Sequence, residues 1–248
     1  MDPDRQLGPF DPRLRALRAG RRRLEARYLH RRAIDDLIER LALVARAFRT
    51  AFLIGPDAEL AARLSEAGLT VAQGEAEDLI ERPGAYDLIA SVGLLDTIND
   101  LPGALVLARR ALTAEGLFLA AFAGAGSLPA LRGAMRAGEE AEGKGASPRI
   151  HPQIDVRAAG DLMLRAGFAL PVVDRDVVEV RYESLPQLVA DLRAMGATNQ
   201  LAGRGAPPFG RIGLTAAIVD FAAQAGPDGK IAERFELIHV SGWAKATV

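Results

Sequence analysis

The chain predicts an α/β fold built on a mainly parallel sheet. Short apolar runs that close on a turn residue recur at Ala51–Ile54, Tyr86–Ser91 and Leu117–Phe122, as buried parallel strands do. Segments of helical periodicity separate them, and this alternation calls for helices on both faces of a sheet. The length of 248 residues suits one such domain, or one domain with an appendage. A hydrophobic fraction of 49% supplies enough apolar side chain for a substantial core.

Residues from about 12 to 48 read as helix, with one stripe through Leu14, Leu17, Leu24 and Tyr28 and a second through Ile34, Leu37, Ile38 and Leu41. Residues 1–49 therefore form an N-terminal helical extension to a domain spanning 50–248. Ala51–Ile54 is the first strand, Gly55 its turn, and Glu59–Ala67 a short helix closed by Gly68. Leu69–Ala72 is a second strand and Tyr86–Ser91 a third. A helix over Leu101–Leu112 leads through a turn at Glu115-Gly116 to the strand Leu117–Phe122. An insertion over roughly 124–232 follows. It begins with a partly helical Gly/Ala-rich segment and a mobile loop at Glu142–Gly145. It continues with helices at Val156–Ala166, Leu185–Met195 and Ile212–Ala225, and two strand segments at Ala169–Asp174 and Val177–Tyr182. Phe235–Ala244 reads as the last strand.

Composition removes several classes of function. With no cysteine the chain has no disulfide, no thiolate zinc site and no cysteine nucleophile. A net charge of −1 gives no global field to recruit nucleic acid or an anionic membrane. The arginines at 18, 21–23, 27, 31 and 32 read as a solvated helical face rather than a nucleic-acid surface, because three consecutive residues point in different directions. No apolar run reaches transmembrane length. Met1–Asp4 is acidic and has no apolar leader core, which favours the cytoplasm. His30, His151 and His239 lack metal-ligand spacing, so no metal site is expected. No Gly-x-Ser-x-Gly elbow and no Walker loop is present.

Six segments together carry a resemblance: Tyr86–Ser91, Asn99–Leu105, Leu112–Leu119, Ser147–Pro152, Arg165–Phe168 and Asp191–Asn199. In order and spacing they resemble class I S-adenosylmethionine-dependent methyltransferases. The branch is the one that contains the malonyl-carrier-protein methyltransferase of biotin synthesis and the methyltransferase-like arginine hydroxylase that assists assembly of respiratory complex I. The resemblance covers most of the chain after Phe10. It implies a Rossmann-like sheet with a helical insertion before the last strand, S-adenosylmethionine as cofactor, and a small carboxylate or a protein as acceptor or partner.

The cofactor loop departs from the family pattern. That loop usually reads acidic-x-Gly-x-Gly-x-Gly, and here Gly55 alone remains of the three glycines. Leu53 stands at the acidic position, and Asp57 and Glu59 at the second and third glycines. Carboxylates there oppose the ligand's own carboxylate, which a helix N-terminus would otherwise attract, and Pro56 removes one N–H donor. The same residues are also ordinary helix-starting choices. About thirty residues separate Gly55 from Tyr86, too few for the usual set of β/α units. One β/α unit is therefore expected to be missing, and the ribose-binding acid with it. Glu75 is the remaining candidate on the adenine side, or a plain surface acid.

By resemblance, Gly55, Asp57, Glu75, Ser91, Val92 and Gly93 border the cofactor, and His151 and Tyr182 border the acceptor. His151 is a candidate general base or a polar loop residue; Tyr182 lines the cavity or simply packs. Two functions stay open. One is methyl transfer by positioned in-line displacement. The other is a non-catalytic methyltransferase-like assembly factor or partner-binding subunit, with an oligomer among the expectations.

Overall fold

The computed structural model describes residues 8–143, 145, 147–203 and 208–245. Lys144 of the expected mobile loop and the first four residues lie outside these. The chain divides into two compact units. The first comprises Leu29–Gly124, Gln153–Asp176 and the described residues from Leu237 on. The second comprises Ala125–Pro152, Val177–Glu236 and the described residues before Leu29.

The six-stranded sheet has the order β2-β1-β3-β4-β6-β5. Its strands are β1 (Thr50–Ile54), β2 (Thr70–Gly74), β3 (Tyr86–Val92), β4 (Leu112–Ala123), β5 (Ala169–Tyr182) and β6 (Ile231–Trp243). β2, β3 and β4 join their neighbours in parallel, and β6 returns antiparallel to β4. Parallel pairing explains why β1 and β3 read as continuous apolar runs, since both faces are covered. β1 pairs with β2 from Thr50↔Thr70 to Ile54↔Gly74 and with β3 from Ala51↔Leu88. Strand β2 is therefore the neighbour of β1 and the edge of the sheet. Only a short 3-10 turn, Ala76–Leu79, separates it from β3. The absent β/α unit is the one that would follow β2.

In the first unit, α4 (Leu101–Ala111) and α6 (Val156–Arg165) pack into the core of the sheet, and α3 (Ala58–Glu66) packs on β2. Phe52, Ile89, Leu105, Phe118, Phe122, Phe168 and Ile238 form the centre of the core, each worth about 1.5–3 kcal/mol of burial. Gly68 and Gly167 stop α3 and α6 in left-handed conformations, φ +90° and +87°. The expected turn at Glu115-Gly116 is a bulge inside β4 instead. The register jumps from Tyr86↔Leu112 to Leu88↔Leu117, and Glu115 takes φ +59° to absorb the extra residues.

The long N-terminal helix is broken into α1 (Pro12–Ala19), a 3-10 turn at Leu24–Ala26, and α2 (Tyr28–Ala42). Gly20 caps α1, and the Arg23 N–H is drawn to the Ala194 carbonyl at 2.9 Å. A tertiary bond thus overrides a helical stripe that looked continuous. The two strand segments expected at 169–182 are one strand, β5. Asp174 and Asp176 are held by the arginines of α2. Arg40 donates to both oxygens of Asp174 at 2.7 and 2.9 Å, and Arg32 pairs with Asp176. Arg32, one of the arginines expected on a solvated face, is exposed and ion-paired, and Arg18, in the second unit, is buried and donates to the Thr198 carbonyl.

His239 of β6 lies within the same network. Its Nδ1 meets Asp36 Oδ2 at 2.8 Å, and its buried Nε2 has no partner among the described residues. Burial pushes the imidazole below its ordinary pKa, and Arg40 acts in the same direction against Asp36, Asp174 and Asp176. A depressed histidine contributes stability above its unfolded pKa of about 6.5 and loses it as pH falls through the folded value. We expect wild type to lose unfolding free energy on acidification below that point more steeply than His239→Asn. Urea titrations at stepped pH read the difference; parallel curves would contradict it.

In the second unit, α5 (Pro129–Ala141) packs on α8 (Arg211–Ala222), with α7 (Leu185–Ala194) beside it. The α5 and α8 backbones approach closely at Gly138. A Cβ there would stand 2.9 Å from the Gly213 carbonyl and 2.7 Å from the Phe209 ring.

Candidate functional site

Six expected cofactor residues lie in the first unit, at the carboxyl ends of β1, β2 and β3. Strand order reverses across β1 and β3, where open α/β sheets place ligands. Gly55 ends β1 with φ +88° and donates its N–H to the Gly74 carbonyl at 2.7 Å. The Leu94 side chain lies directly over it, so that a Cβ on Gly55 would stand 2.6 Å from Leu94 Cδ2. Asp57 is the N-cap of α3; its Oδ1 accepts the Leu60 N–H at 2.9 Å. Its other oxygen meets Nε2 of His30, which reaches over from α2. The Asp57 N–H is itself taken by Gln73 Oε1 at 2.9 Å. The start of α3 is therefore closed by the chain's own groups: a carboxylate, an imidazole and an amide. An anion arriving there meets a carboxylate already held by His30.

Glu75 is the first residue after β2. Its backbone N–H is bound by Asp78 Oδ2 at 2.9 Å in a reciprocal cap of the Ala76–Leu79 turn. Glu75 thus follows the strand that pairs with β1. Ser91 is buried and donates its hydroxyl to the Ile54 carbonyl at 2.9 Å, tying the ends of β1 and β3 together. Val92 is buried beside it, and Gly93 turns the chain with φ +67°. A Cβ on Gly93 would come within 3.4 Å of His30 Nδ1, so His30 stands between the β1 and β3 turns. Gln73 and Leu94 carry no local mark in the sequence, and His30 shows there only as a histidine without metal-ligand spacing.

The two expected acceptor residues belong to the second unit. Tyr182, at the end of β5, is 3% exposed and donates to Asp191 Oδ2 at 2.6 Å. Tyr28 donates to the same oxygen at 2.8 Å, and the two phenol oxygens are 3.2 Å apart. Burial, then the hydrogen bonds to Asp191 and Tyr28, push the Tyr182 pKa far above its ordinary value. The phenol stays protonated at neutral pH and serves as a fixed donor rather than a base. Asp191 lies within one of the resembling segments.

His151 follows α5. It is buried, with its ring edge-on to Phe10 at 5.6 Å. Two residues earlier, Arg149 lies over the Phe209 ring at 3.7 Å and donates to Glu139 at 2.9 Å. Both Glu139 oxygens accept the Ser147 N–H at 3.1 Å, and Asn199 donates to the Pro148 carbonyl. Two of the resembling segments, Ser147–Pro152 and Asp191–Asn199, are thereby bound to each other. Among the described residues no group of three or more acidic or histidine side chains could hold a metal ion, and no helix is long and apolar enough to cross a membrane.

No family model matches the chain. Its sequence is related to the mitochondrial arginine hydroxylase of Mus musculus, 35% identical over 158 residues, covering 64% of this chain and 46% of that protein. It is also related to the malonyl-[acyl-carrier protein] O-methyltransferase of Xylella fastidiosa, 32% identical over 176 residues, covering 71% and 58%. The chain spans about half the length of the curated relatives it matches. In structure it is similar to a candidate methyltransferase from Bacillus halodurans, with a TM-score of 0.52 at 12% identity over 86% of this chain and 99% of that one. The YcgJ protein of Bacillus subtilis gives the same score and coverage at 15% identity. The fold is that of the Rossmann-like class I methyltransferases.

Proposed function

We propose that this chain, methyltransferase-like in fold and in its sequence relatives, does not transfer methyl groups from S-adenosylmethionine and instead uses its scaffold to bind a partner. S-adenosylmethionine is the cofactor that goes with this fold and these relatives. The observation that carries the reading is the closed start of α3. In the family pattern the methionine carboxylate docks near that helix start. Here Asp57 takes the Leu60 N–H, Gln73 takes the Asp57 N–H, and Leu94 lies on Gly55. Two of the donors are in use, and a carboxylate already stands where the ligand's own would dock. These residues do not fit the amino-acid half of the cofactor, and no transfer step is derived through it.

The partner that the relatives suggest is a protein, or a small carboxylate such as the malonyl group named in one of them. The second unit would supply that surface, with His151 and Tyr182 as residues that shape it. Tyr182, held protonated, would offer rigidity to the Asp191 carboxylate rather than proton transfer. The resemblance to an arginine hydroxylase is in keeping with a branch that need not methylate.

Glu75 favours a second reading, an enzyme that still uses the cofactor. An acid at the end of the strand beside β1 is where the family holds the ribose hydroxyls, and the Ser91–Gly93 turn would border the adenosine.

Calorimetric titration with S-adenosylmethionine and S-adenosylhomocysteine separates the two. We expect no heat at millimolar ligand from protein shown to be folded by circular dichroism. Micromolar binding would overturn the proposal in favour of the enzyme.

A further inference from the structure

The outer edge of β5 is the longer of the two edges of the sheet. β5 is last in the strand order and runs for fourteen residues. Beyond Val177 it contains neither proline nor bulge, two of the devices that blunt an edge. Its side chains alternate: Val177, Glu179 and Arg181 are exposed, while Val178, Val180 and Tyr182 turn inward. Such an edge presents unpaired N–H and C=O groups to whatever strand fits it.

The sequence of this segment is complementary to itself. We propose that two copies of the chain pair their β5 edges antiparallel about a two-fold axis at Val180. In that register Glu179 of each copy lies opposite Arg181 of the other, so the dyad forms two opposite-charge cross-strand pairs. On the inward face Val180 meets Val180, apolar against apolar. Moving the axis to Val177 would still set Glu179 against an arginine, Arg175. It would also set Asp176 against Val178 and Asp174 against Val180, pulling carboxylates away from Arg32 and Arg40. The Val180 register leaves those ion pairs alone. Arg181 already lies 3.2 Å from Asp228 and is half exposed, and a guanidinium has donors to spare for a second carboxylate. An isologous contact of this kind closes on itself and ends at a dimer.

Charge reversal tests the surface and its register together. Light scattering of the full chain should give twice its 26.4 kDa mass. Glu179→Arg sets arginine against arginine twice, and Arg181→Glu sets glutamate against glutamate twice. Each should weaken dimerisation by about tenfold or more. Mixing the two variants sets the two arginines of one copy against the two glutamates of the other, and should restore a dimer. The double variant E179R/R181E should dimerise alone. Recovery on mixing also shows that each single variant is folded. A wild-type chain that is monomeric at micromolar concentration overturns the proposal. So does a dimer that survives both reversals, or E179R re-associating with Arg175→Glu in place of R181E.

Discussion

Glu233→Ala is expected to lower the unfolding free energy by about 2–3 kcal/mol, seen as a lower urea midpoint at unchanged slope. Glu233 lies in β6 and is fully buried. Its carboxylate accepts the N–H groups of Ala130 at 3.2 Å, Leu131 at 2.9 Å and Arg234 at 3.0 Å. The first two are orphan donors of the first turn of α5. That helix has no side-chain cap of its own, because Leu128 takes a left-handed conformation, φ +62°, and Pro129 begins the helix. A residue over a hundred positions away therefore caps α5, and alanine would leave two buried donors unmade at about 1–3 kcal/mol each. The desolvation of the charge works against this. Burial raises the Glu233 carboxyl above its ordinary range, while the three N–H groups and Arg132 pull it down. The removal of a disfavoured charge returns part of the loss, which is why the expected cost is below the sum of the two donors. The sign of the pH dependence follows. A raised folded value gives stability that is full below the unfolded pKa of about 4.3 and lost as pH rises through the folded one. Glu233→Gln, which does not titrate, should therefore fall further behind wild type as the solution is acidified. A gap that narrows with acid would mean that the N–H groups outweigh burial.

The parts of the fold that were legible in sequence are those whose cause is local. The apolar runs of β1 and β3 and the left-handed glycines at 68, 167 and 196 declare themselves by residue type. The break between α1 and α2 does not, because a bond from Arg23 to Ala194 decides it. β5 looked like two strands because Asp174, Arg175 and Asp176 interrupt its apolar pattern, and the arginines that hold the two acids lie on α2, well over a hundred residues upstream. The candidate site divides in the same way. Gly55 and Asp57 could be placed by the resemblance, at the turn after a strand. Leu94, His30 and Gln73 come from other elements and carry no motif. Glu75 could be found but not assigned, since its meaning depends on β2 pairing with β1, a fact of sheet order. The bond from Tyr182 to Asp191 spans only nine residues, yet the Tyr28 hydroxyl that joins it comes from 154 residues away.

The double variant Asp57→Gly/Leu94→Ala should bind S-adenosylhomocysteine measurably where wild type does not. Two effects compete at Asp57. As an N-cap it stabilises α3, but glycine in that position costs only a few tenths of a kcal/mol, against about 1 for alanine. As a charge it opposes any ligand carboxylate at the helix start. Two like charges about 4 Å apart at an effective dielectric near 20 repel by about 4 kcal/mol, roughly a thousandfold in affinity. Electrostatic exclusion therefore outweighs the lost cap, and glycine also frees the Leu60 N–H for the ligand. Leu94→Ala withdraws the methyl group that lies on Gly55, without which the backbone stays covered. Each single change should be insufficient, because the first leaves the cover and the second leaves the charge. Calorimetry on the four proteins, wild type, both singles and the double, reads the coupling directly. If the double variant is folded and still silent, the loss of cofactor binding lies elsewhere, in the absent β/α unit after β2, and the closed start of α3 is a consequence of that loss rather than its cause.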